Sequence, residues 1–441
     1  MSTRGHHFWL SLRATFWFVP GLMVIGAVLL AAITLLLDSS VAGSSLPDWV
    51  YAGGADGARA LLSTVAGSMV TVAGVGFSIT IVALVLASTQ FGPRLLTLFM
   101  RDLISQVTLG TFTATFTFCI LVLRTIRGPD EGGDPFVPQV AITVAIGLTL
   151  LSVAVLVYFF HHVAVSIQAP KVVAAVARDL NRAIDDLGLH DFGEPGPAAA
   201  PDEVPTADSD AVVAATRSGY VQVMDDARLI GLAVKHDLCI RLATRPGLFV
   251  VRGNQVLIAR PRERVTDEVA AALRATVIVG DVRTREDDIE FSVRQLVEVA
   301  LRALSPAIND PFTAMAAVDW LGAALARLAA TEFPGRYRYD ADGRLRIVAD
   351  ISTFGGITHT IFSRIRHYGG SSPVVLNRLL EAIAAFGPHV TDEADRQLVR
   401  DEMEAVLRMG RELITSDADL RELERRHASA VIALGGRYDP Y

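Results

Sequence analysis

Acidic and amide side chains are concentrated between Arg283 and Ala314, in the sequence RTREDDIEFSVRQLVEVALRALSPAINDPFTA. Carboxylate and amide oxygens are the ligands that hard divalent cations prefer in proteins, and they also bind polar organic molecules. The side chains that could form such a site are Asp287, Asp288, Glu290, Asn309 and Asp310. Their spacing does not match a calcium-binding EF-hand loop, so the segment indicates a candidate ligand site without defining its ligand.

A purely structural interpretation explains the same segment. The apolar residues between Val293 and Leu304 recur at helical spacing, and Ser305-Pro306 should end that helix. Asp310 then stands where a helix N-cap is expected, with Pro311 at the first helical position, where a missing N–H group costs nothing. Helix capping and ligand binding therefore remain alternatives for Asp310.

Hydroxyl groups form a second pattern, in the apolar run from Leu61 to Gln90. Steps of four, three, four and three residues place a set of small and hydroxyl-bearing side chains on one helical face. That set is Thr64, Ser68, Thr71, Val75 and Ser78, with Gly67 and Gly74 one heptad apart. We expect this face to point towards protein or water rather than lipid.

The next apolar run repeats the hydroxyl pattern. Thr108, Thr111, Thr115 and Cys119 follow steps of three, four and four residues. Small and hydroxyl residues line water-filled pores, but they also allow transmembrane helices to pack closely. Pore lining and helix packing both remain open for these residues and for the face of Leu61 to Gln90.

Signatures of other functions are missing from the sequence. There is no P-loop, no GxSxG and no dinucleotide-binding glycine motif, so we predict no catalytic residue and no cofactor. A net charge of −7 without a basic patch disfavours nucleic-acid binding. The neighbouring His161 and His162 point about 100° apart on a helix and do not form a metal motif, so we expect an interfacial pair. Cys119 and Cys239 are expected to be buried free thiols.

The fold class follows from the apolar runs, since 51% of the residues are hydrophobic and the excess lies in the first 170. A helix of about 20 apolar residues crosses a bilayer. We predict an α-helical integral membrane protein with a transmembrane domain at 1–170 and no further span after Lys171. Four transmembrane helices are expected, at about 16–37, 61–86, 107–123 and 140–160.

Orientation follows from the arginines and lysines of the short loops. The N-terminus, the loop around Arg94 and Arg101 and the segment from Lys171 to Arg182 are basic and lie on one side of an even-numbered topology. Arg124 and Arg127, in the opposite third loop, are offset by neighbouring acids. We therefore expect a multi-pass protein of the inner (plasma) membrane with both termini in the cytoplasm.

A cytosolic α+β region is expected to follow the spans. A connecting helix and a linker rich in Pro and Ala should occupy 171–215, and strand-like patterns predict a small β module at 216–261. The remainder, 262–441, has mainly helical periodicity. A hairpin-like pair, Arg336 to Tyr339 and Leu345 to Asp350, interrupts those helices.

Five stretches of the chain resemble an uncharacterised bacterial family of predicted membrane proteins, domain of unknown function 2254. The matching residues are GARALLSTVAGSMVTVAGVGFSITIVALVLASTQFGPRLL at Gly57 to Leu96, GTFTATFTFCILVLRTIRG at Gly110 to Gly128, SGYVQ at Ser218 to Gln222, RPGLFV at Arg245 to Val250 and LRALSPAINDPFTA at Leu301 to Ala314. The resemblance covers most of the chain. It implies membrane spans and a cytosolic tail, and no activity.

Two functions are compatible with these patterns. The first is a homo-oligomeric channel or pore for ions or small solutes, lined by spans two and three and gated by the cytosolic domain. The alternative is a membrane-anchored sensor or scaffold whose cytosolic domain binds a ligand or protein partner between Arg283 and Asp310. An enzyme using the acidic cluster is a third hypothesis, which the missing catalytic motifs disfavour.

Overall fold

The computed structural model describes residues 17–41, 47, 49–92, 102–128, 135–187, 194–195, 204–206, 208–284 and 288–435. The chain forms two compact units, which divide between Lys171 and Val172. The first unit is helical and the second combines helices with two sheets. A helical unit followed by an α+β unit agrees with the expected fold class.

The first unit contains four long apolar helices among its described residues. They are α1 (Phe18–Val41), α2 (Ala55–Phe91), α3 (Leu103–Leu123) and α4 (Gln139–Ser166). Each includes most or all of one expected span, and all four are longer than the spans predicted. The 37 residues of α2 correspond to about 55 Å, well beyond the roughly 30 Å hydrocarbon thickness of a bilayer.

Helix α3 is the centre of the first unit, because it packs against α1, α2 and α4. Small side chains make the close approaches: Gly110 of α3 lies against Pro20 and Met23 of α1, where a Cβ atom would collide with the Met23 sulfur. Lipid is as apolar as leucine, so such close van der Waals packing is what holds membrane helices together. The opposite surfaces of α1 and α4 carry exposed large apolar side chains, as expected for helices that face lipid.

A buried carboxylate joins α1 to α4. Asp38 is 7% exposed, and its two oxygens accept hydrogen bonds from the backbone N–H groups of Val140 at 2.8 Å and Ala141 at 2.9 Å. These are orphan donors of the first turn of α4, and Pro138 at the N-cap provides no side-chain cap. The predicted first span ends at about residue 37, whereas α1 continues to Val41 and brings the carboxylate to α4.

A fifth helix is long and apolar enough to cross a membrane, α9 (Pro311–Ala329) in the second unit. The expectation that no such stretch follows Lys171 is therefore wrong by length and composition, and a count of four spans is not confirmed. Within the second unit α9 buries Ala317, Leu321 and Leu325 against neighbouring helices. An alanine-rich helix buried among other helices has the same composition as a weakly hydrophobic transmembrane helix. Periodicity alone therefore does not distinguish a buried helix from a membrane span.

Two sheets form the β part of the second unit. The first has the strand order β1 (Glu194–Pro195), β8 (Tyr337–Tyr339), β9 (Leu345–Val348), β4 (Cys239–Leu242), β6 (Gln255–Arg260), β2 (Ala211–Ala214), and the second has β5 (Phe249–Val250), β3 (Gly219–Met224), β7 (Val277–Gly280). The sheets thus take strands from both sides of the expected module at 216–261. All described pairings are antiparallel except that of β4 with β9, where Ile240 lies opposite Ile347.

Helices complete the second unit. α5 (Ala169–Asp186) leads into it, and α6 (Asp226–Lys235) and α7 (Asp267–Arg274) pack on the sheets. The helical remainder consists of α8 (Ile289–Ala303), α9, α10 (Phe354–Gly369), α11 (Pro373–Phe386), α12 (Glu393–Leu413) and α13 (Asp417–Ala433). Asp310 accepts from the Thr313 N–H at 3.1 Å with Pro311 in the first turn, so the expected N-cap is confirmed.

The role of Asp38 can be measured through stability. In Asp38→Asn only one oxygen remains to accept, so one N–H of α4 loses its partner at a cost of about 1–3 kcal/mol. We expect a lower midpoint of thermal unfolding for the full-length protein in nanodiscs. The control is Asp56→Asn, an exposed residue in the first turn of α2. Equal midpoints for both variants would contradict the capping role.

Candidate functional site

The second unit contains a cleft of about 530 Å³, a volume within the range of small-molecule sites. Its floor is apolar, formed by Met224, Leu242, Ile289 and Ile351. Charged side chains surround this floor: Asp179, Arg182, Asp186, Asp226, Arg245, Asp288, Arg338 and Asp350. An apolar floor with a few convergent charged groups is typical of a binding site for a small organic molecule.

The sheets position the charged residues of the cleft. β4 and β9 are parallel, so their carboxyl ends lie at the same edge of the sheet, and Arg245 and Asp350 follow those two ends. Asp226, which also lines the cleft, follows the end of β3 in the second sheet. Residues that are far apart in sequence therefore meet at the cleft because strands of both sheets end beside it.

Arg245 is the bridge of an ion-pair network at this edge. Its Nη2 atom donates to Glu290 Oε1 at 2.5 Å, and its Nη1 atom donates to both carboxylate oxygens of Asp350 at 3.2 Å. Glu290 also accepts from Arg294 at 3.0 Å and from the Ser352 hydroxyl at 3.2 Å. The network connects the segments after β4 and β9 to the first turn of α8.

A second ion pair lies beside it. Arg283 donates to Asp288 through Nε at 2.5 Å and Nη2 at 2.8 Å, and both side chains are nearly buried. Asp288 also caps α8, since its side chain accepts from the Phe291 N–H at 3.1 Å. Gly247 packs directly on this pair with φ +86°, and a Cβ atom there would lie 2.1 Å from Asp288 Oδ2. Only glycine fits both the backbone conformation and the space.

Burial raises the pKa of each of these two carboxylates, whereas neighbouring guanidinium groups lower it. Burial acts to raise the pKa of Glu290, but the guanidinium groups of Arg245 and Arg294 outweigh it and hold that pKa below its ordinary value. For Asp288 burial prevails over the Arg283 partner, and the neighbouring Glu290 adds to the effect, so the pKa of Asp288 is raised. The pKa values of the two carboxylates are therefore shifted in opposite directions.

The residues of the predicted ligand site are not brought together. Asp288 lines the cleft, whereas Asp310 and Asn309 follow the other end of α8, a helix of 15 residues and thus about 22 Å long. Asn309 has a left-handed backbone, φ 48°, in the turn that leads to the Asp310 cap. Asp287 lies outside the described residues. The sequence patterns identified Glu290 but not the other members of the network, which are Arg245, Arg283, Arg294, Asp350 and Ser352.

A signal for the missed residues exists in the sequence. Arg245-Pro246-Gly247 has the composition of a turn, and it follows a strand whose end lies at the same edge as Asp350. An arginine in a turn after a buried strand is a candidate for a site at the sheet edge. The parallel pairing of β4 with β9, which sequence periodicity does not reveal, is what places Arg245 beside Asp350.

The predicted hydroxyl faces have different environments in the first unit. Thr108, Thr111 and Thr115 of α3 are buried, and the Thr115 hydroxyl lies 3.1 Å from the Ser152 hydroxyl of α4. These α3 residues therefore contact neighbouring helices of their own chain. The small cavity beside Thr108, between α2, α3 and α4, has a volume of only about 10 Å³, which is close to the minimum for a single water molecule.

The α2 stripe, defined as Thr64, Ser68, Thr71 and Ser78, is exposed within the described chain. Each hydroxyl donates to a backbone carbonyl three or four residues earlier on α2, at 2.7–3.1 Å. The hydroxyl protons are thus satisfied inside the helix, which allows the face to lie against lipid, another helix or water. Gly67 and Gly74 on the same face have open space where a Cβ atom would be.

Other candidate chemistry is limited. Among the described residues no group of three His, Cys, Asp or Glu side chains is arranged to hold a metal ion. His162 Nε2 lies 3.0 Å from Asp102 Oδ2, and Asp102 is the N-cap of α3. The histidine at the end of α4 therefore pairs with a helix cap.

Comparison with known proteins places the chain among uncharacterised membrane proteins. The family described as "Predicted membrane protein (DUF2254)" matches residues 13–385. Uncharacterized proteins of Mycobacterium bovis and Mycobacterium tuberculosis are each 33% identical over 418 residues, which cover 92% of this chain and 78% of the relative. No solved structure matches the chain.

Gly247 can be tested against a matched glycine. Gly247→Ala introduces a Cβ that collides with the Arg283–Asp288 pair and also forces a left-handed backbone, the latter costing about 1–2 kcal/mol. Gly253→Ala has the same backbone cost, φ +91°, in open space. We expect thermal unfolding of the full-length protein to shift clearly further for Gly247→Ala. Equal shifts would mean that the ion pair tolerates the extra carbon.

Glu290 should contribute a pH-dependent part of the stability. Its folded-state pKa is lowered, so its stabilisation is present above the ordinary carboxyl pKa of about 4.5 and is lost as the pH falls through the folded-state value. We expect Glu290→Gln to unfold more easily at pH 7 and to lose less stability than the wild type between pH 5 and pH 3 (about those values, set by the carboxyl pKa). Parallel pH profiles of the unfolding midpoint would contradict this role.

Proposed function

We propose, for a chain that belongs to the DUF2254 family of predicted membrane proteins, that it is a membrane-anchored sensor whose second unit binds a small molecule. The observation that carries the proposal is the cleft beside the ends of β4 and β9 of the first sheet and of β3 of the second. It combines an apolar floor with buried charged side chains, and Arg245 connects three separate segments at its edge. A ligand that contacts one partner of that network would affect all three segments.

The anchor in this proposal consists of α1 to α4. Their exposed apolar surfaces support a bilayer environment, while α9 buries its apolar face inside the second unit and carries Asp319 in an ion pair with Arg378 at 2.9 Å. We therefore assign four spans. The basic segments near the N-terminus and after α4 support an inner-membrane protein with both termini in the cytoplasm.

Occlusion of the cleft tests the sensor proposal. Ala183 lines the cleft on α5, and Ala183→Trp would fill part of it. Ala174→Trp is the matched control, because Ala174 is a half-buried alanine of the same helix that does not line the cleft. Fractions of a small-molecule extract from the native host are added to full-length protein in nanodiscs, and the unfolding midpoint is measured.

We expect at least one fraction to raise the midpoint of the wild type and of Ala174→Trp, and to leave Ala183→Trp unchanged. Binding of ligand to the folded state alone raises its stability by mass action. Fractions that act equally on both tryptophan variants would refute binding in the cleft. If no fraction stabilises the wild type, the sensor proposal is rejected.

The pore is a second candidate, favoured by one observation: no described part of the chain covers the α2 stripe. Four helices do not enclose a pore alone, so this function requires a homo-oligomer in which the stripes meet. Small and hydroxyl residues are suited to such contacts. The test measures particle mass in nanodiscs and ion flux in liposomes, with Ser68→Leu on the stripe and Val70→Leu on another exposed part of α2.

A pore predicts an oligomeric mass, flux in the wild type, and loss of either in Ser68→Leu alone. A monomer without flux excludes the pore and leaves the sensor. Replacing α1 to α4 by an unrelated anchor then separates the two functions in cells: a gene-deletion phenotype rescued by the replaced protein supports the sensor, since a foreign anchor carries no pore.

A further inference from the structure

We infer that the ligand of the cleft is an aliphatic primary amine, that is, an organic cation with a methylene chain. The inference rests on the proposed function, since it names the chemical class of the molecule that the cleft binds. Three features of the cleft support it: its balance of charge, the polarity of the helix ends that reach it, and the nature of its floor.

The balance of charge favours a cation. Five aspartates line the cleft against three arginines. Arg182 pairs with Asp179 at 3.1 Å, Arg245 pairs with Asp350 and Glu290, and Arg283, from outside the lining, pairs with Asp288, so the excess of carboxylates is small. An anionic ligand would therefore compete with the carboxylates that already bind these arginines. An amine instead adds a positive charge to a cleft with an excess of carboxylates.

Helix ends strengthen this preference. α5 ends at Asp186, so the carbonyl end of its dipole and the Asp186 carboxylate both contribute negative potential at the rim of the cleft. The N-termini of α6 and α8, which would otherwise attract anions, are capped by the aspartates Asp225 and Asp288. Their positive ends are thereby offset.

The floor selects the body of the molecule. Met224, Leu242, Ile289 and Ile351 provide aliphatic surface that suits a methylene chain. Among the described lining residues there is no aromatic side chain, which distinguishes the cleft from the aromatic cages that bind quaternary ammonium groups. Primary ammonium groups, with three N–H donors, match carboxylate acceptors instead. In the described part of the chain no group of three His, Cys, Asp or Glu side chains is arranged to hold a metal ion.

Three probes of equal chain length and different charge test the class: hexamethylenediamine, hexanediol and adipate. Their affinity for the full-length protein in nanodiscs is measured by isothermal titration calorimetry at low and high salt, with hexamethonium as the quaternary ammonium control. We expect the diamine to bind at least about tenfold more tightly than the diol, because hydrogen bonds to charged groups are stronger than those between neutral groups. Salt should weaken the diamine alone.

Matched variants locate the binding. Asp186→Asn removes an exposed carboxylate at the rim of the cleft and should weaken the diamine by about fivefold, as for a partly exposed ion pair. Asp281→Asn, at a side chain that is 97% exposed and outside the cleft lining, is the control and should bind as the wild type does. Ala183→Trp should abolish binding.

The outcomes separate this inference from the proposed function. Tighter binding of adipate, equal binding of all three probes, or binding of hexamethonium as tight as that of the diamine would overturn the amine class, while sensitivity to Ala183→Trp would retain the cleft as a ligand site. No binding of any probe also overturns the amine class. The extract experiment then decides alone whether the cleft binds a ligand.

Discussion

The second unit depends on one constraint, the placement of the Arg245 guanidinium between Glu290 and Asp350. These residues come from the segment after β4, the first turn of α8 and the segment after β9, so a single planar cation holds three distant parts of the chain at one edge. A half-buried arginine with two carboxylate partners keeps its charge compensated, whereas removing the arginine would take a cationic partner from both carboxylates. This is why the cleft beside it can be lined by charged residues and remain formed.

The constraint also explains the neighbouring residues. Gly247 is required because the Arg283–Asp288 pair occupies the space of any Cβ atom at that position. Asp288 both caps α8 and pairs with Arg283. Burial raises the pKa of Asp288, whereas the arginines beside Glu290 lower the pKa of Glu290. The two carboxylates are two residues apart in sequence and behave differently because only Glu290 has more than one arginine close by.

In the first unit, too, a few polar contacts join separate parts of the chain. Asp38 satisfies the first turn of α4, and Thr115 meets Ser152 where α3 and α4 touch. In a bilayer the hydrophobic effect does not drive helices together, so such contacts and small residues determine the packing. The hydroxyls of α3 therefore lie inside the unit, while the α2 stripe with the same spacing lies outside it. Spacing alone does not distinguish the two, because both helices present hydroxyls on one face.

The sequence by itself determined the class of the protein, its apolar helices and the mainly helical character of 262–441: the helical spacing between Val293 and Leu304 belongs to α8, Ile289–Ala303, and Asp310 caps α9 as its Asp-Pro signature indicates. These features depend on local periodicity and capping, which act over a few residues. Only the tertiary structure decided that β4 pairs with β9, that Asp288 and Asp310 lie at opposite ends of α8, and that Arg245 joins Glu290 and Asp350. Such contacts span 45 residues or more along the chain and arise from packing, which no short sequence pattern encodes.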